Sequence, residues 1–436
     1  MRHKIYGIIN NLMHSLLMKK IFLSMLALVS MTVSAQFGAP RQNPVVPSVT
    51  ENVVEDFKPA TSNQDNKQYP MVNSQRMVRA QISAPNATSV GLDIAGKIYQ
   101  MTKNENGVWT GTSEPQDEGF HYYQLNIDGA SVPDPGSLYY YGASRWGSGI
   151  EIPSADQDFW QVKNVPQGSM SEVFYWSTYT EKMRRCHVYL PNEYFTNPTK
   201  KFPVLYLQHG MGENEYGWAE QGHTAQILDN LIAEGKAVPC IIVMDNGLNT
   251  SRPGEQGGFG GFGGQRPQGQ RPQGAPGQGG QRPQGTPGQG GPRRGGFGGF
   301  SEGFKNVLFN DIIPMVEKNY RVIADAQHRA YAGLSMGGMQ AREITLANPE
   351  KFAYVGSFSS GAWSVDQVKA SEGFAKNVKL LFMSGGGKEN MGCVEAAKNI
   401  KEQLGMNAVG YESPGTAHEW HTWRRSLYQF AQLMFK

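Results

Sequence analysis

The sequence predicts an α/β protein with a mostly parallel sheet, preceded by a small all-β domain. Three observations carry this. From about residue 170 to the end, short apolar runs of strand length alternate with longer amphipathic runs. Between 71 and 165 the apolar runs are short, alternate with period two and are separated by turn residues. The pentapeptide Gly333-Leu334-Ser335-Met336-Gly337 pinches a serine between a strand-like and a helix-like stretch.

In the first half, Val78 to Ile82, Val90 to Ile94, Val108 to Thr110 and Phe120 to Ile127 read as strands. Asn86, Asn104 to Gly107 and Asp128-Gly129 read as the turns between them. This pattern is that of an antiparallel β-sandwich. Trp109, Phe120, Tyr122 and Tyr123 read chiefly as its core and strand residues. Tyr139-Tyr140-Tyr141 and Trp146 follow the last clear strand, and either pack at the junction with the next domain or form one wall of a shared cleft.

In the second half, strands are expected at Arg185 to Leu190, Phe202 to Leu207, Cys240 to Met244, His328 to Ala332, Val378 to Met383 and Val409 to Glu412. Helices are expected at Thr224 to Gly235, Phe304 to Tyr320, Gly338 to Asn348, Val394 to Leu404 and Trp423 to Met434. Residues 252–300 break the pattern. They are nearly all Gly, Pro, Gln, Arg and Phe, and QRPQGAPGQGG at 270–280 is repeated almost unchanged at 281–291. Such a composition buries too little apolar surface to offset chain entropy, so a disordered insertion is expected.

At the N-terminus, Met18-Lys19-Lys20, the apolar run Ile21 to Val33 and Val33-Ser34-Ala35 have the order of a secretory signal. Residues 1–35 are therefore read as a signal peptide with an upstream extension, and 36–70, rich in Pro, Asn, Gln and Thr, as a linker. The apolar run is too short for a membrane span. Cleavage after Ala35 removes four basic residues and takes the formal charge from +3 to −1, which gives no electrostatic case for nucleic acid. The expected location is secreted or periplasmic. Cys186, Cys240 and Cys393 are scattered, with no C-x-x-C and no zinc spacing, and read as buried thiols.

The chemistry centres on Ser335. Glycines two residues to either side permit a sharp strand–turn–helix that lifts the hydroxyl out, the nucleophile elbow of α/β-hydrolases. Serine needs a base, and in this fold the histidine follows the nucleophile in the chain. His418 and His421 are the two that follow. His418 lies between the last strand and the last helix, where the base is presented, and is the candidate. Oxyanion donors are expected from the backbone N–H of Met336, after the serine, and of Met211, in the H-G-x-G run His209 to Gly212. His209 is read as buttressing that run.

Three motifs in order, YLQHGMGENEYGW at 206–218, GLSMGG at 333–338 and GTAHEWHTWRRSL at 415–427, resemble carbohydrate esterase family one, the esterase D and feruloyl esterase group. The resemblance covers 170–436 apart from the insertion. It implies an α/β-hydrolase fold and hydrolysis of ferulate or acetate esters on plant xylan. No metal or organic cofactor is implied. The stretch Gly119 to Leu125, then Asp128-Gly129 and Asp134-Pro135, resembles the immunoglobulin-like modules of carbohydrate-binding family forty-eight, over 71–165. The implied partner is a plant cell-wall polysaccharide such as arabinoxylan.

One position departs from the family. Its acid follows the strand at 379–383, in a loop of the form G-x-x-D; here Asn390 falls at that place. Glu389, one residue earlier and longer, is the proposed acid, with Asn390 as the alternative position. Trp218, Trp420 and Asn246 are the candidate substrate-binding residues, and Trp423 is read as core. An acyltransferase on the same fold and a catalytically weakened glycan-binding protein are the rival readings.

Overall fold

A computed structural model describes residues 43–254 and 298–436. The proposed signal peptide and most of the repeat-bearing insertion lie outside the described residues. Val45–Lys436 form one compact unit; of the unit Met1–Pro44 only residues 43 and 44 are described.

Residues 45–152 build two facing sheets. One orders Val45–Pro47, Lys97–Gln100, Val90–Ile94, Gly119–Ile127, Arg145–Ile152 and Tyr139–Gly142, with Ala130–Val132 also on Gly119–Ile127. The other orders Lys58–Pro59, Met71–Val72, Met77–Ser83, Val108–Pro115 and Thr102–Lys103. The alternation of each strand sends one face inward. Val78, Trp109, Leu92, Tyr123, Leu125 and Ile150, drawn from both sheets, meet in one buried cluster.

Two expectations change here. The described part of the 36–70 linker is built into the sheets: Val45–Pro47 pairs in parallel with residues 98–100, and Lys58–Pro59 pairs with Met71–Val72. Pairing satisfies the backbone groups of these short strands, and Val46 and Ala60 join the core. The Tyr139–Trp146 region is not beyond the last strand. It is a further hairpin, closed at Ala143 and Ser144, both of which have positive φ.

Residues 169–436 build an eight-stranded sheet in the order Ser169–Ser177, Lys182–Leu190, Ile241–Asp245, Val204–Gln208, Arg329–Leu334, Tyr354–Phe358, Leu380–Gly386 and Ala408–Ser413. The first two junctions are antiparallel and the remaining five are parallel. The central strands are buried on both faces, which explains why they are mostly apolar without alternation. Two apolar clusters cover the two faces. The strand Tyr354–Phe358 and the first strand, Ser169–Ser177, are absent from the sequence reading; the first alternates on an exposed edge.

The expected Phe304–Tyr320 helix starts earlier, inside the 252–300 range. It runs Gly298–Val307, widens into a π turn at Leu308–Ile312 and continues as Ile313–Asn319. Pro314 at the start of the last segment has no N–H to give the preceding turn, so the ladder is interrupted there. Cys186, Cys240 and Cys393 are buried and unpaired.

Candidate active site

Parallel strands bring their C-terminal ends to one edge of the sheet, and ligands of open α/β sheets bind at that edge. Ser335 follows the strand Arg329–Leu334 and precedes the helix Met336–Ala347. Its φ of 51° and ψ of −113° are sparsely populated for a residue with a side chain. Its N–H donates to Phe358 O at 2.7 Å, which holds the turn from the next strand. Both flanking glycines are required by space. A Cβ on Gly333 would stand 2.5 Å from the carbonyl carbon of Gly337, and one on Gly337 would stand 2.6 Å from the carbonyl oxygens of Gln208 and His209.

The loop after Val204–Gln208 closes on the same serine. A Cβ on Gly210 would lie 3.3 Å from the Cβ of Ser335. His209 is buried at 1% exposure and spans the loop. Its Nε2 accepts the Gly247 N–H at 3.1 Å, so Nδ1 carries the proton and donates to Gly210 O at 2.7 Å. Burial lowers His209 to about 4, which keeps it neutral and fixed in that tautomer. The Met336 N–H is at the first position of its helix, where no intrahelical acceptor exists. The Met211 N–H has no backbone acceptor among the described residues.

His418 and Glu389 complete a continuous hydrogen-bonded chain. His418 Nε2 lies 3.0 Å from Ser335 Oγ, and His418 Nδ1 lies 2.7 Å from Glu389 Oε1. Glu389 Oε2 accepts from Ser359 Oγ at 2.6 Å and from the Gly386 N–H at 2.7 Å. Burial alone would raise Glu389; the bond and charge of His418, with the Ser359 and Gly386 donors, outweigh it and hold the carboxyl below its ordinary range. A carboxylate on Nδ1–H leaves Nε2 free to accept the serine proton. Trp423, buried at 6%, lies edge-on to the His418 ring at 5.1 Å and limits its rotation.

The local backbone places the two candidate acid positions differently. Gly387–Glu389 form one 3-10 turn, and Asn390 ends it with φ 51°, ψ 45°, a left-handed conformation that asparagine tolerates. Asn390 is exposed, while the Glu389 side chain is 8% exposed against His418. His421 is not in the chain. It is buried at 1%, packs under Gly119 of the β-sandwich and is lowered to about 4 by burial.

The two tryptophans expected to flank substrate are interior. Trp218 and Trp420 are 1% and 2% exposed and meet edge to face at 5.4 Å. Their indole N–H groups donate to Gln208 O at 3.0 Å and to Tyr122 Oη at 3.2 Å. With both polar ends satisfied and both rings enclosed, they fill the space behind the loop at 208–212 rather than form a cleft wall. Asn246 is half-buried at the C-terminal end of Ile241–Asp245 and donates to Glu215 Oε2 at 2.9 Å. It lines a small pocket of about 310 Å³ with Phe174, Arg185 and Glu215.

Two groups beside the site escaped the sequence reading. Ser359 follows the unrecognised strand Tyr354–Phe358; the apolar run Phe352 to Phe358 after Pro349 was the available signal. The backbone of Ser144 in the β-sandwich is the second; the sequence placed its neighbours Tyr139 to Tyr141 and Trp146 at this junction or on a cleft wall, and Trp146 packs edge-on to Tyr216 at 5.2 Å. Ser144 N–H, at its hairpin tip, donates to Gly212 O at 2.8 Å, and Lys388, next to Glu389, pairs with Asp117 at 3.1 Å. Arg424 makes a bidentate pair with Glu151 at 2.7 and 3.0 Å across the same junction.

Strand order, elbow turn and a histidine loop before the last helix define an α/β-hydrolase-like protein. The Esterase family model matches residues 177–272 and 278–433, more than half of the chain, and the protein belongs to this family. It is a carboxylic ester hydrolase. Over 391 residues it is 41% identical to an endo-1,4-beta-xylanase/feruloyl esterase of Xylanibacter ruminicola, covering 88% of this chain and 48% of that protein. The chain thus spans about half the length of this relative. The enterobactin esterase of Shigella flexneri, solved with enterobactin, is 15% identical, with a TM-score of 0.54 over 82% of this chain and 92% of that one; this likeness is one of fold. A ferulic acid esterase of Anaeromyces mucronatus, solved with ferulic acid, is 21% identical, with a TM-score of 0.47 over 65% of this chain and 96% of that one.

Proposed function

We propose that this esterase hydrolyses ferulate, or acetate, esters carried on plant xylan, with Ser335 as nucleophile, His418 as base and Glu389 as the group that orients the base. The observation that carries the mechanism is the chain Ser335 Oγ–His418 Nε2 and His418 Nδ1–Glu389 Oε1, at 3.0 and 2.7 Å. Ser335 Oγ attacks the ester carbonyl as its proton passes to Nε2. The tetrahedral oxyanion is met by the N–H groups of Met336 and Met211, each contributing about 2.7–4 kcal/mol. His418 then protonates the leaving sugar oxygen, and water repeats the sequence on the acyl-enzyme to release the acid.

The substrate assignment is supported by the Xylanibacter ruminicola relative, whose name couples a xylanase with a feruloyl esterase. The polysaccharide would lie along the junction of sandwich and hydrolase. A cavity of about 950 Å³ there is lined by Tyr140, Trp160, His223, Gln226 and Asn73. Trp160 Nε1 is buried without a partner among the described residues, a donor suited to a sugar hydroxyl, and the Gln226 side chain lies beside His223. On this reading the β-sandwich, expected over 71–165 and with sheets that run from 45 to 152, is an immunoglobulin-like glycan-binding module, and 170–436 is the esterase domain. Residues 1–35 are a leader that sends the protein to the periplasm or outside. Among the described residues no helix is long and apolar enough to cross a membrane.

The test is release of ferulate from methyl ferulate and of ferulate and acetate from arabinoxylan, by wild type and Ser335→Ala. Ester cleavage lost in the variant, with ferulate the faster product, is expected. Glycan binding with no cleavage by wild type would instead support the weakened binding protein.

A further inference from the structure

The loop that carries Met211 also carries a carboxyl group that the proposed triad does not use. Glu213 lies two residues after Met211 and is 7% exposed. Its N–H donates back to Gly210 O at 3.3 Å, and Gly212 O takes the Ser144 N–H at 2.8 Å. The segment Gly210–Glu213 is therefore fixed by its own turn and by the sandwich hairpin.

The side chain adds a third tie. Glu213 Oε1 lies 3.1 Å from Tyr122 Oη, on the sandwich strand Gly119–Ile127. That phenol oxygen already accepts from Gln221 Nε2 at 2.6 Å and from Trp420 Nε1 at 3.2 Å. A phenol has two acceptor sites and one proton. The two N–H donors fill the first, so the proton turns to Glu213 Oε1 or to Tyr141 O at 3.4 Å. Strand, loop and last helix thus converge on one oxygen atom.

Among the described residues the carboxyl group has no counter-charge. The groups facing it are Tyr122 from the sandwich, whose ionisation burial pushes well up, and the neutral indole of Trp420 from the last helix. Glu213 Oε2 has no hydrogen-bond partner among the described residues, and a Cβ on Gly217 would stand 2.5 Å from it. A carboxylate enclosed without a cation is far costlier than the uncharged acid. Burial accordingly pushes Glu213 up to about 8.

We infer that Glu213 is a positioning residue for the ester hydrolysis: as the uncharged acid it braces the loop that presents the Met211 N–H against Tyr122 of the sandwich. The inference rests on the reading of Ser335 as nucleophile and Met211 as an oxyanion donor. Ionisation strengthens the Tyr122 bond itself, but it leaves an enclosed charge on Oε2 with no donor, so water is drawn into the junction and the loop shifts. The oxyanion contact then lengthens, and a displacement of about 1 Å at such a contact costs roughly a hundredfold in rate.

The experiment measures kcat and KM on methyl ferulate from about pH 6 to 9.5, corrected for spontaneous hydrolysis. It compares wild type, Glu213→Gln, Glu213→Ala and Ser335→Ala, each checked for folding by thermal denaturation. The wild-type kcat is expected to fall on the alkaline side through an ionisation near the value of about 8 set by burial. Glu213→Gln keeps shape and neutrality, so it retains kcat within about threefold and loses that alkaline fall. Glu213→Ala loses kcat roughly ten- to a hundredfold at unchanged KM. An alkaline fall identical in Glu213→Gln and wild type overturns the inference. So does a folded Glu213→Ala with wild-type kcat, or a Glu213→Gln as impaired as Glu213→Ala. Wild-type turnover by Ser335→Ala overturns the nucleophile and this inference together, whereas an inactive Ser335→Ala beside any of the first three results overturns this inference alone.

Discussion

Glu389 Oε1 meets His418 Nδ1 at 2.7 Å across a separation of 29 residues in the chain. The neighbouring Asn390, at the place where the resemblance sets an acid, is exposed at the end of a 3-10 turn. One residue of register therefore separates a charged partner for the imidazole from none. Glu389→Gln is expected to lower kcat about 10⁴-fold, because the amide removes the charge opposite imidazolium and permits the wrong tautomer. Asn390→Ala is expected to stay within about threefold, as a surface change at a turn. Parallel kcat measurements on methyl ferulate decide this; a larger loss at Asn390 than at Glu389 reverses the assignment.

Ser359 supplies one of the donors that keep Glu389 ionised and oriented. Its own φ of 48° is an unfavourable conformation held in place by its N–H bond to Ser384 O at 2.8 Å. Deleting a hydrogen bond to a buried charge costs about 1.5–3 kcal/mol. Ser359→Ala is expected to lower kcat roughly ten- to a hundredfold with KM nearly unchanged. A steady-state comparison in which KM alone moved would place Ser359 on the substrate instead.

The interior tryptophans should register in stability before they register in binding. Trp218→Ala and Trp420→Ala each remove a large buried ring and leave Gln208 O or Tyr122 Oη short of a donor. Each is expected to cost about 3–5 kcal/mol. Urea unfolding measures this directly. A folded variant of unchanged midpoint with a raised KM would restore the cleft-wall role.

The junction has its own pH signature. Burial raises Glu151, but the charge and bonds of Arg424, with His223, outweigh it and bring it down to about 2 from 4.5. The folded state thus binds fewer protons than the unfolded chain between these values. Stability from this pair is full above pH 4.5 and is lost as pH falls toward 2. The thermal midpoint should therefore fall through that window, and the Glu151→Met/Arg424→Met pair should flatten the fall. Arg424→Met alone leaves a buried carboxylate unpaired and should cost about 3–5 kcal/mol at neutral pH, most of it recovered in the double variant.

Local pattern sufficed where the chemistry is local. Ser335 was legible because glycine, serine and the strand–helix change all fall within a dozen residues. His418 was legible because chain order in this fold leaves two histidines, and only one precedes the last helix. The Val90–Ile94 strand was legible to the residue from its alternation and turns. The central strand Tyr354–Phe358 was not, since five residues with Gly356 and Ser357 among them have no period by which to tell strand from helix.

What the sequence by itself determined is therefore the order of the candidate groups: an elbow serine, a glycine-rich loop after an early strand and a histidine before the last helix, each encoded in contiguous residues. Only the tertiary structure decided which neighbour of Asn390 reaches His418, that Ser359 serves Glu389, that Trp218 and Trp420 lie inside, and that Tyr122 meets Glu213. Those relationships join residues up to 298 positions apart. They are set by how the sheets and the last helix pack, and no pattern along the chain measures that distance.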